Sequence, residues 1–488
     1  MHKLWITPLV TAKSAQLQQR RVAVIGAGPA GLVTAKTLKD KGFKVVVYEK
    51  GSMVGGAWVY DNDNGRNYLY RNLHINTSRK LTQFADFPFD AATQRIPDHR
   101  DMARYLKAYA HQFDLYSLIR FRTDVVAIRP PAPGAAGDMG WTVRTADSQE
   151  DAFDAIVVCT GPFARAAHAE EVRGGFAGEY LHSSGYRAPE AFVGKRVCII
   201  GAGNSAVDIA SDICTTAART VLVARSPVLV MPHFVLGRAI GDIGALLQRR
   251  FIPTAFRRKV MGWLIRAVHG EMTWHGFKPL THRVHATISS TIIQDILFER
   301  VAVKQGIATI ADRDIGFVDG SREQFDCIIA ATGFVTEFPF LSEDIVRPVN
   351  NRLDLYKRIA APGWPGLYFV GMINLDTPIN HACERQAQWI ARVESEALIL
   401  PSEDDMRADI AAKQVWVEEI FGHAVRHSLQ EDSVKYYAEL ARALRLGWRR
   451  KAARDGARKA TRLRRWRDEP RACVASSVFP SSSRSTNP

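Results

Sequence analysis

One stretch near the N-terminus, residues 22–50, constrains the fold of this 488-residue chain more than any other. Residues 22–25 form a short apolar run that stops at Gly26, and apolar residues then recur at helical spacing until Gly42. A second β-branched run follows directly. The pattern predicts a strand, a glycine turn, a helix and a parallel strand, which is one dinucleotide-binding unit.

The glycines of this stretch match the G-x-G-x-x-G fingerprint at the strand-to-helix turn. Gly26 permits the tight turn, Gly28 lets the backbone approach a pyrophosphate, and Gly31 lets the helix pack closely on the strand. Glu49 ends the next strand, 23 residues after Gly26. A carboxylate there accepts hydrogen bonds from an unphosphorylated ribose and repels a 2′-phosphate, so this unit is predicted to bind FAD or NAD rather than NADP.

A second unit of the same kind starts with the sequence RVCIIGAGNSAVDIA at residues 196–210. Gly201 and Gly203 open its turn, and Ala206 takes the third position, which tolerates alanine. Arg225 lies 24 residues after Gly201, at the place where the first unit carries its acid. A guanidinium there can pair with a 2′-phosphate, which predicts NADPH, whereas the alternative is a solvated charge at a strand end.

The net charge of +15 is concentrated at the C-terminus. Residues 442–471 hold 13 Lys and Arg against three acidic residues, a net charge of +10, so the remaining chain is ordinary in charge. This distribution argues against specific nucleic-acid binding and predicts a peripheral contact with anionic membranes through residues 442–471.

The six cysteines form no C-x-x-C pair and no His/Cys metal spacing, so neither a metal site nor a redox disulfide is predicted. A disulfide reductase with two nucleotide units would need such a cysteine pair. Cys159, Cys198 and Cys327 lie in predicted buried strands, as expected of core thiols in a reducing cytosol. We therefore expect a cytoplasmic protein.

Between the two units, residues 176–186 match F-x-G-x-x-x-H-x-x-x-Y. Together with both glycine fingerprints and the Ala-Thr-Gly-Phe turn at 331–334, this motif resembles the flavin-containing monooxygenases, a family of class B flavoprotein monooxygenases. The resemblance runs from about residue 21 to about residue 400. It implies FAD in the first unit, NADPH in the second, and O2 activated as a flavin C4a-hydroperoxide that oxygenates a soft nitrogen or sulfur nucleophile of a small organic substrate.

The resemblance also implies roles for individual residues. Asn76 corresponds to the flavin-facing, catalytic asparagine of the family, and residues 84–88 resemble its substrate-side loop. His182 and Tyr186 are interpreted as linker residues that couple NADP binding to domain position. The candidate cofactor-binding residues are Gly26, Gly28, Ala30, Gly31, Glu49, Lys50, Gly56, Trp58, Val126, Gly201, Gly203, Asn204, Ser205, Ala206, Arg225, Thr332 and Gly333.

The predicted fold class is α/β, with two Rossmann-like dinucleotide-binding domains, the FAD domain being discontinuous and the NADPH domain inserted into it. The predicted segments are an N-terminal extension at 1–20, the first FAD-binding segment at 21–162, the NADPH-binding domain at 163–325, the second FAD-binding segment at 326–441, and a basic, disordered tail at 442–488.

Two other functions remain open on the sequence. A Baeyer–Villiger monooxygenase acting on ketones would usually carry a tryptophan where this chain has Tyr186-Arg187. A catalytically silent flavoprotein, tethered to anionic surfaces by its basic tail, would not need to keep both nucleotide preferences. Residues 228–300 fit a substrate lid, a membrane-surface helix or core helices, and neither the substrate nor the oligomeric state follows from the sequence.

Overall fold

The computed structural model describes residues 19–131, 140–247, 252–422 and 425–468. Its first unit is built on a five-stranded parallel sheet with both faces covered. The strands of this sheet, from one edge to the other, are Leu367–Phe369, Ala155–Val158, Arg21–Ile25, Lys44–Tyr48 and Ile119–Arg120. The predicted return of the chain to the first unit is therefore seen in the strand that starts at Leu367.

The second unit repeats this plan with another five-stranded parallel sheet. Its strands, in order, are Val301–Lys304, Arg219–Val223, Arg196–Ile200, Cys327–Ala330 and Glu179–His182. The strand Cys327–Ala330 pairs in parallel with the central strand, so the predicted boundary at 325/326 is wrong. The inserted domain keeps these residues because all four are fully buried against their neighbours in the second sheet.

Each unit also carries a three-stranded antiparallel sheet, which strengthens the internal repeat. The first consists of Val125–Arg129, Trp141–Thr145 and Glu150–Phe153, and the second of Ile307–Ala311, Asp314–Phe317 and Arg322–Gln324. Among the described residues, four two-stranded ladders connect loops: Arg165–Ala166 with Phe334–Val335, Val230–Met231 with Thr287–Ile288, Phe234–Val235 with Arg238–Ala239, and Asn374–Leu375 with Gln430–Glu431.

The α-helices of the described chain are Pro29–Asp40, Arg79–Thr82, His99–Gln112, Glu170–Gly175, Asn204–Ile213, Ile240–Leu247, Thr254–His269, Ile292–Leu297, Ile379–Glu394, Glu403–Phe421 and Ser433–Asp468. The helix His99–Gln112 begins after its N-cap Asp98, which forms a capping box with Asp101. No helix in the ranges given above has both the length and the apolar character needed to cross a bilayer.

The prediction of a disordered tail from residue 442 is wrong for its first part. The helix Ser433–Asp468 continues through this boundary because its apolar side packs on the first unit, where Leu440 and Ala443 are buried. Gly447 is pressed so closely on Leu398 that a Cβ atom would come within 2.0 Å of its Cδ1. Arg450 Nε donates to the carbonyl oxygen of Ile399 at 3.1 Å. Residues 469–488 of the predicted tail lie outside the described residues.

The predicted N-terminal extension lies outside the described residues up to position 18. Its last residue belongs to the fold, because Arg20 Nη2 forms an ion pair with Glu394 Oε2 at 2.7 Å. This contact joins the start of the first sheet to the end of the helix Ile379–Glu394.

Candidate functional site

The first glycine turn has the close packing that the fingerprint predicts. Gly26 has a φ of +104°, and a Cβ atom there would lie 2.9 Å from the carbonyl oxygen of Cys159. A Cβ atom on Gly31 would lie 1.8 Å from the carbonyl oxygen of Gly26, so only glycine lets the helix approach the strand. Both glycines are therefore required by the backbone itself.

Gly28 and Gly56 bring two backbone segments close together at the start of the helix Pro29–Asp40. A Cβ atom on Gly28 would lie 3.7 Å from the Cα atom of Gly56. Gly28 is the N-cap of the helix without a side-chain cap, so the first amides remain available to a ligand. Ala30 in the first turn lies against Gly371. We expect this cradle to hold the pyrophosphate of FAD, because the free N–H groups at a helix N-terminus favour negative charge.

Glu49 is buried at the end of its strand, where its carboxylate is held by backbone amides. Ala27 N donates to Oε2 at 2.7 Å and Gly51 N donates to Oε1 at 2.8 Å, and the remaining lone pairs can accept from ribose hydroxyls. The next residue, Lys50, is half-exposed and pairs with Asp124 at 2.9 Å. Val126, which is 40% exposed, lies on the strand Val125–Arg129 of the antiparallel sheet.

The second turn repeats the first. Gly201 has a φ of +117°, and a Cβ atom there would lie 2.4 Å from the carbonyl oxygen of Ala331. Gly203 caps the helix Asn204–Ile213 without a side-chain bond and has no atom within 4 Å of a would-be Cβ atom. Ala206 is fully buried, and Asn204 Oδ1 accepts from Ile288 N at 2.9 Å. This open helix start fits the pyrophosphate of NADPH.

Arg225 follows the strand Arg219–Val223 and is exposed. Its guanidinium makes no hydrogen bond or ion pair with any residue that the structure describes. Thr332 Oγ1 donates to the carbonyl oxygen of Ala167, and the carbonyl oxygen of Gly333 accepts from Ala167 N at 3.0 Å. Arg225 thus has the exposure that a phosphate partner needs, whereas Thr332 and Gly333 hold the turn between the units.

Tyr70 and Asn72 of the first unit and Tyr186 of the second unit bond to acids on one face of the helix Asn204–Ile213, and the bonds of Tyr70 and Asn72 tie the units together. Tyr70 Oη donates to Asp208 Oδ2 at 2.6 Å, and Tyr186 Oη donates to Asp212 Oδ2 at 2.5 Å. Asn72 Nδ2 donates to the other oxygen of Asp212 at 2.7 Å. Burial raises the pKa of Asp208 to about 6. Tyr186 is buried in this junction, as expected of a linker residue.

A cavity of about 1380 Å³ lies between the two units. Trp58 and Asn76 from the first unit and Asn204 and Ser205 from the second unit line its wall. The structure therefore brings these four predicted site residues together. The fingerprint glycines, Glu49 and Arg225 are outside this wall, as expected of residues that hold the remote parts of two long nucleotides.

Residues 228–300, which the sequence leaves open, supply the apolar side of the cavity. Their contribution is mainly aliphatic, from Leu229, Met231, Ile240, Met261, Ile265 and Ile288. Two helices of this region, Ile240–Leu247 and Thr254–His269, cover that side. An apolar wall excludes water from a reactive site, and this role favours the interpretation as a substrate-side cover.

The helix Ile379–Glu394 contributes site residues that the sequence analysis does not identify. Asn380 Nδ2 donates to the carbonyl oxygen of Thr82 at 2.7 Å, and Glu384 Oε1 accepts from Ala85 N at 2.8 Å. These bonds fix the helix start against the segment that follows Asn76. No local signal marks them, because the paired residues are separated by 298 and 299 positions.

Comparisons with known proteins agree with this geometry. The family described as "FMO-like: Flavin-binding monooxygenase-like" matches residues 19–447. Flavin-containing monooxygenase 5 of Cavia porcellus is 32% identical over 87% of this chain and 83% of its own length. The N-oxide-forming dimethylaniline monooxygenase 2 of Mus musculus is 30% identical over 86% of this chain and 82% of its own length.

Solved structures of related proteins have the same architecture. The S-allyl-L-cysteine S-oxygenase of Allium sativum matches with a TM-score of 0.64 and 27% identity, covering 92% of this chain and 95% of that protein. An open structure of cyclohexanone monooxygenase matches with a TM-score of 0.61 and 16% identity, covering 88% of this chain and 99% of that protein, a likeness of fold alone.

Proposed function

This chain belongs to the flavin-binding monooxygenase-like family, and from that premise we propose that its inter-unit cavity is where a soft nitrogen or sulfur nucleophile receives an oxygen atom. The enzyme is an FAD-dependent monooxygenase that uses NADPH and O2. One observation carries the proposal: the cavity wall joins Asn76 of the first unit to Asn204 and Ser205 at the start of the second fingerprint helix.

Bound FAD, reduced by NADPH, supplies the oxygen chemistry, so the protein needs to bind, orient and shield rather than provide a nucleophile. The glycine cradle and Glu49 would hold FAD, and the helix start at Gly203 with Arg225 would hold NADPH. The aliphatic side from residues 228–300 keeps water out of the cavity. Asn76 lines the same wall, and we expect its amide to hydrogen-bond the reacting region.

Arg187, the cation that follows the linker residue Tyr186, is not positioned to hold the oxygen nucleophile that insertion beside a ketone would need. The ketone reaction needs a cation to hold an anionic oxygen nucleophile. Arg187 is engaged elsewhere, because Nη1 donates to the carbonyl oxygens of Ser184 at 2.7 Å and Tyr186 at 2.9 Å, and Nη2 donates to that of Asn67 at 3.1 Å. Arg187 is also absent from the cavity wall.

Parallel aerobic reactions of the purified enzyme with a small thioether, a tertiary amine and a cyclic ketone test this proposal. We expect sulfoxide and N-oxide to form in proportion to the NADPH consumed, and little lactone. Lactone as the dominant product would instead support the Baeyer–Villiger reaction. A protein that retains flavin but oxidises no NADPH would support the catalytically silent alternative.

We further propose that the enzyme works in the cytoplasm and contacts anionic membranes peripherally. Five free, buried cysteines among the described residues are compatible with a reducing compartment. Exposed Arg442, Arg445 and Arg449 recur at helical spacing beside Trp448, which is 65% exposed. Salt-sensitive sedimentation with anionic vesicles, but not with neutral vesicles, would support the membrane contact. Binding that ignores vesicle charge would exclude it.

A further inference from the structure

One face of the helix Ile379–Glu394 presents two arginines to the cavity. Its opposite face packs on the helix Pro29–Asp40 and is buried. His381, Arg385, Gln388 and Arg392 recur at helical spacing and all line the cavity. The guanidinium groups of Arg385 and Arg392 are exposed and make no hydrogen bond or ion pair with the described part of the chain.

The carboxylates of the same wall, in contrast, already have partners. Asp376 and Asp432 pair with Arg283, at 3.5 and 3.1 Å. Glu384 accepts from Ala85 N at 2.8 Å and contacts His381 Nδ1 at 3.1 Å. The fourth acid of the wall, Asp208, accepts from Tyr70 at 2.6 Å. The charge that the cavity leaves without a partner is therefore positive.

Arg385 is also placed at a useful distance from the reacting region. It lies six residues after Ile379, about 9 Å along the helix axis from the end that is fixed next to the Asn76 segment. Leu440 and Leu444 of the last helix add apolar surface to the same cavity. A ligand whose heteroatom reaches Asn76 can lay its apolar body along these leucines and direct its far end to Arg385.

We propose that the substrate is an organic anion, namely a soft sulfur or nitrogen nucleophile that carries a carboxylate separated from it by an apolar spacer. Arg385 binds the carboxylate, and Arg392, about 11 Å further along the helix, adds a second positive charge to the same helix face. A guanidinium suits this task because it donates two parallel hydrogen bonds to a carboxylate. This inference rests on the proposed function and specifies its substrate class.

The test compares 5-(methylthio)pentanoic acid with its methyl ester, using the flavin-loaded enzyme at neutral pH. The two probes share the thioether and the spacer and differ in the charge of the far end. We expect the wild-type kcat/KM for the acid to exceed that for the ester. In Arg385→Gln the ratio of the two values should fall about tenfold or more, because a charge-assisted hydrogen bond is lost. Arg385→Lys should keep part of the preference.

Arg347 provides a matched control, since it is an exposed arginine paired with Glu343 and lies outside the cavity wall. Arg347→Gln should leave the acid-to-ester ratio at the wild-type value. An equal ratio in wild type and Arg385→Gln, with sulfoxide formed from both probes, would overturn the anion inference while the proposed function stands. If Arg385→Gln raised the KM for NADPH by the same factor by which it lowered kcat/KM for the acid, Arg385 would bind the nucleotide instead. That result would also overturn the anion inference. Sulfoxide from neither probe in wild type would count against the proposed function itself.

Discussion

His182 and Gly333 are joined by a hydrogen bond of 3.0 Å between Nε2 and the backbone carbonyl oxygen. Ser184 N donates to Nδ1 of the same ring at 3.1 Å, so Nδ1 accepts and the proton lies on Nε2. Burial lowers the pKa of His182, which keeps the ring neutral. This bond connects the F-x-G-x-x-x-H-x-x-x-Y motif to the Ala-Thr-Gly turn, two family motifs that are 151 positions apart.

His182→Gln should reduce the free energy of unfolding by about 1 to 2 kcal/mol at neutral pH, because the ring bonds and some packing are lost. The wild-type contribution of His182 is fully present above its unfolded pKa, about 6.5, since the folded form disfavours the charged ring. It decreases as the pH falls below that value. The difference between wild type and variant, measured by denaturant unfolding, should therefore shrink on acidification. A constant difference down to pH 5, about the lower limit of useful unfolding data, would contradict the neutral-ring assignment.

Gly28→Ala and Gly31→Ala form a pair that separates cofactor binding from folding. An alanine fits at Gly28, where the added Cβ atom lies at an ordinary contact distance of 3.7 Å from Gly56, but it places a methyl group at the helix start where we expect the pyrophosphate. At Gly31 the added atom lies 1.8 Å from a backbone oxygen. We expect Gly28→Ala to stay folded with less bound flavin, and Gly31→Ala to be destabilised by several kcal/mol.

In both variants, the flavin absorbance per protein measures how much cofactor is bound, and thermal unfolding measures stability. If Gly28→Ala retained full flavin occupancy and affinity, Gly28 would not form the pyrophosphate cradle. If Gly31→Ala were as stable as wild type, the claim that the helix packs closely on the strand at Gly31 would be contradicted.

Both glycine turns are predictable from the sequence because the fingerprint is local. Gly26 and Gly201, the strands before them and the helices after them lie within a few residues, so spacing alone specifies them. The walls of the cavity are different. The bonds of Asn380 and Glu384 to residues 82 and 85 depend on how two distant segments pack. No periodic pattern in the sequence predicts that packing.

The two wrong boundaries have physical reasons of the same kind. Residues 327–330 follow the inserted domain's antiparallel sheet and precede a glycine turn, yet only pairing with Arg196–Ile200 assigns them to the second sheet. The Arg-rich composition after residue 442 suggests a solvated chain. A few small or apolar residues on one helix face, Ala443 and Gly447 among them, are enough to fix it on the first unit.

Arg225→Ala should raise the KM for NADPH roughly 10- to 150-fold and leave that for NADH nearly unchanged, because only the 2′-phosphate loses its partner. Arg225→Lys should fall between wild type and the alanine variant, since a point charge remains without the bidentate geometry. Initial rates with both nucleotides measure the effect. An equal rise in KM for NADPH and NADH would show that Arg225 does not recognise the 2′-phosphate and is only a solvated charge at a strand end.

Asn76→Asp should leave flavin bound and reducible by NADPH but lower the fraction of NADPH that yields oxygenated product. The amide donor is replaced by an anion at the cavity wall, so more of the oxygen should leave as hydrogen peroxide. Thr77→Ser is a suitable control because it keeps the hydroxyl that bonds to Thr82 Oγ1 at 2.7 Å. Unchanged coupling in Asn76→Asp would remove Asn76 from the catalytic role.

Deletion of residues 442–488 should lower the melting temperature, because it removes the buried Ala443 and the contact of Gly447 with Leu398. Deletion of residues 458–488 keeps these contacts and the bond from Arg450 to Ile399, so it should unfold close to the wild-type temperature. Calorimetry measures the melting temperatures of the wild-type protein and of the two truncated proteins. If both truncations matched wild type, the packed part of the last helix would not stabilise the first unit.

Aerobic turnover of a small thioether with NADPH under oxygen-18 gas tests the assignment as a monooxygenase most directly. The enzyme should produce a sulfoxide whose mass shows one oxygen atom derived from the gas, with close to one NADPH consumed for each product molecule. A sulfoxide that carries oxygen from water, or NADPH oxidation that yields only hydrogen peroxide, would contradict the account.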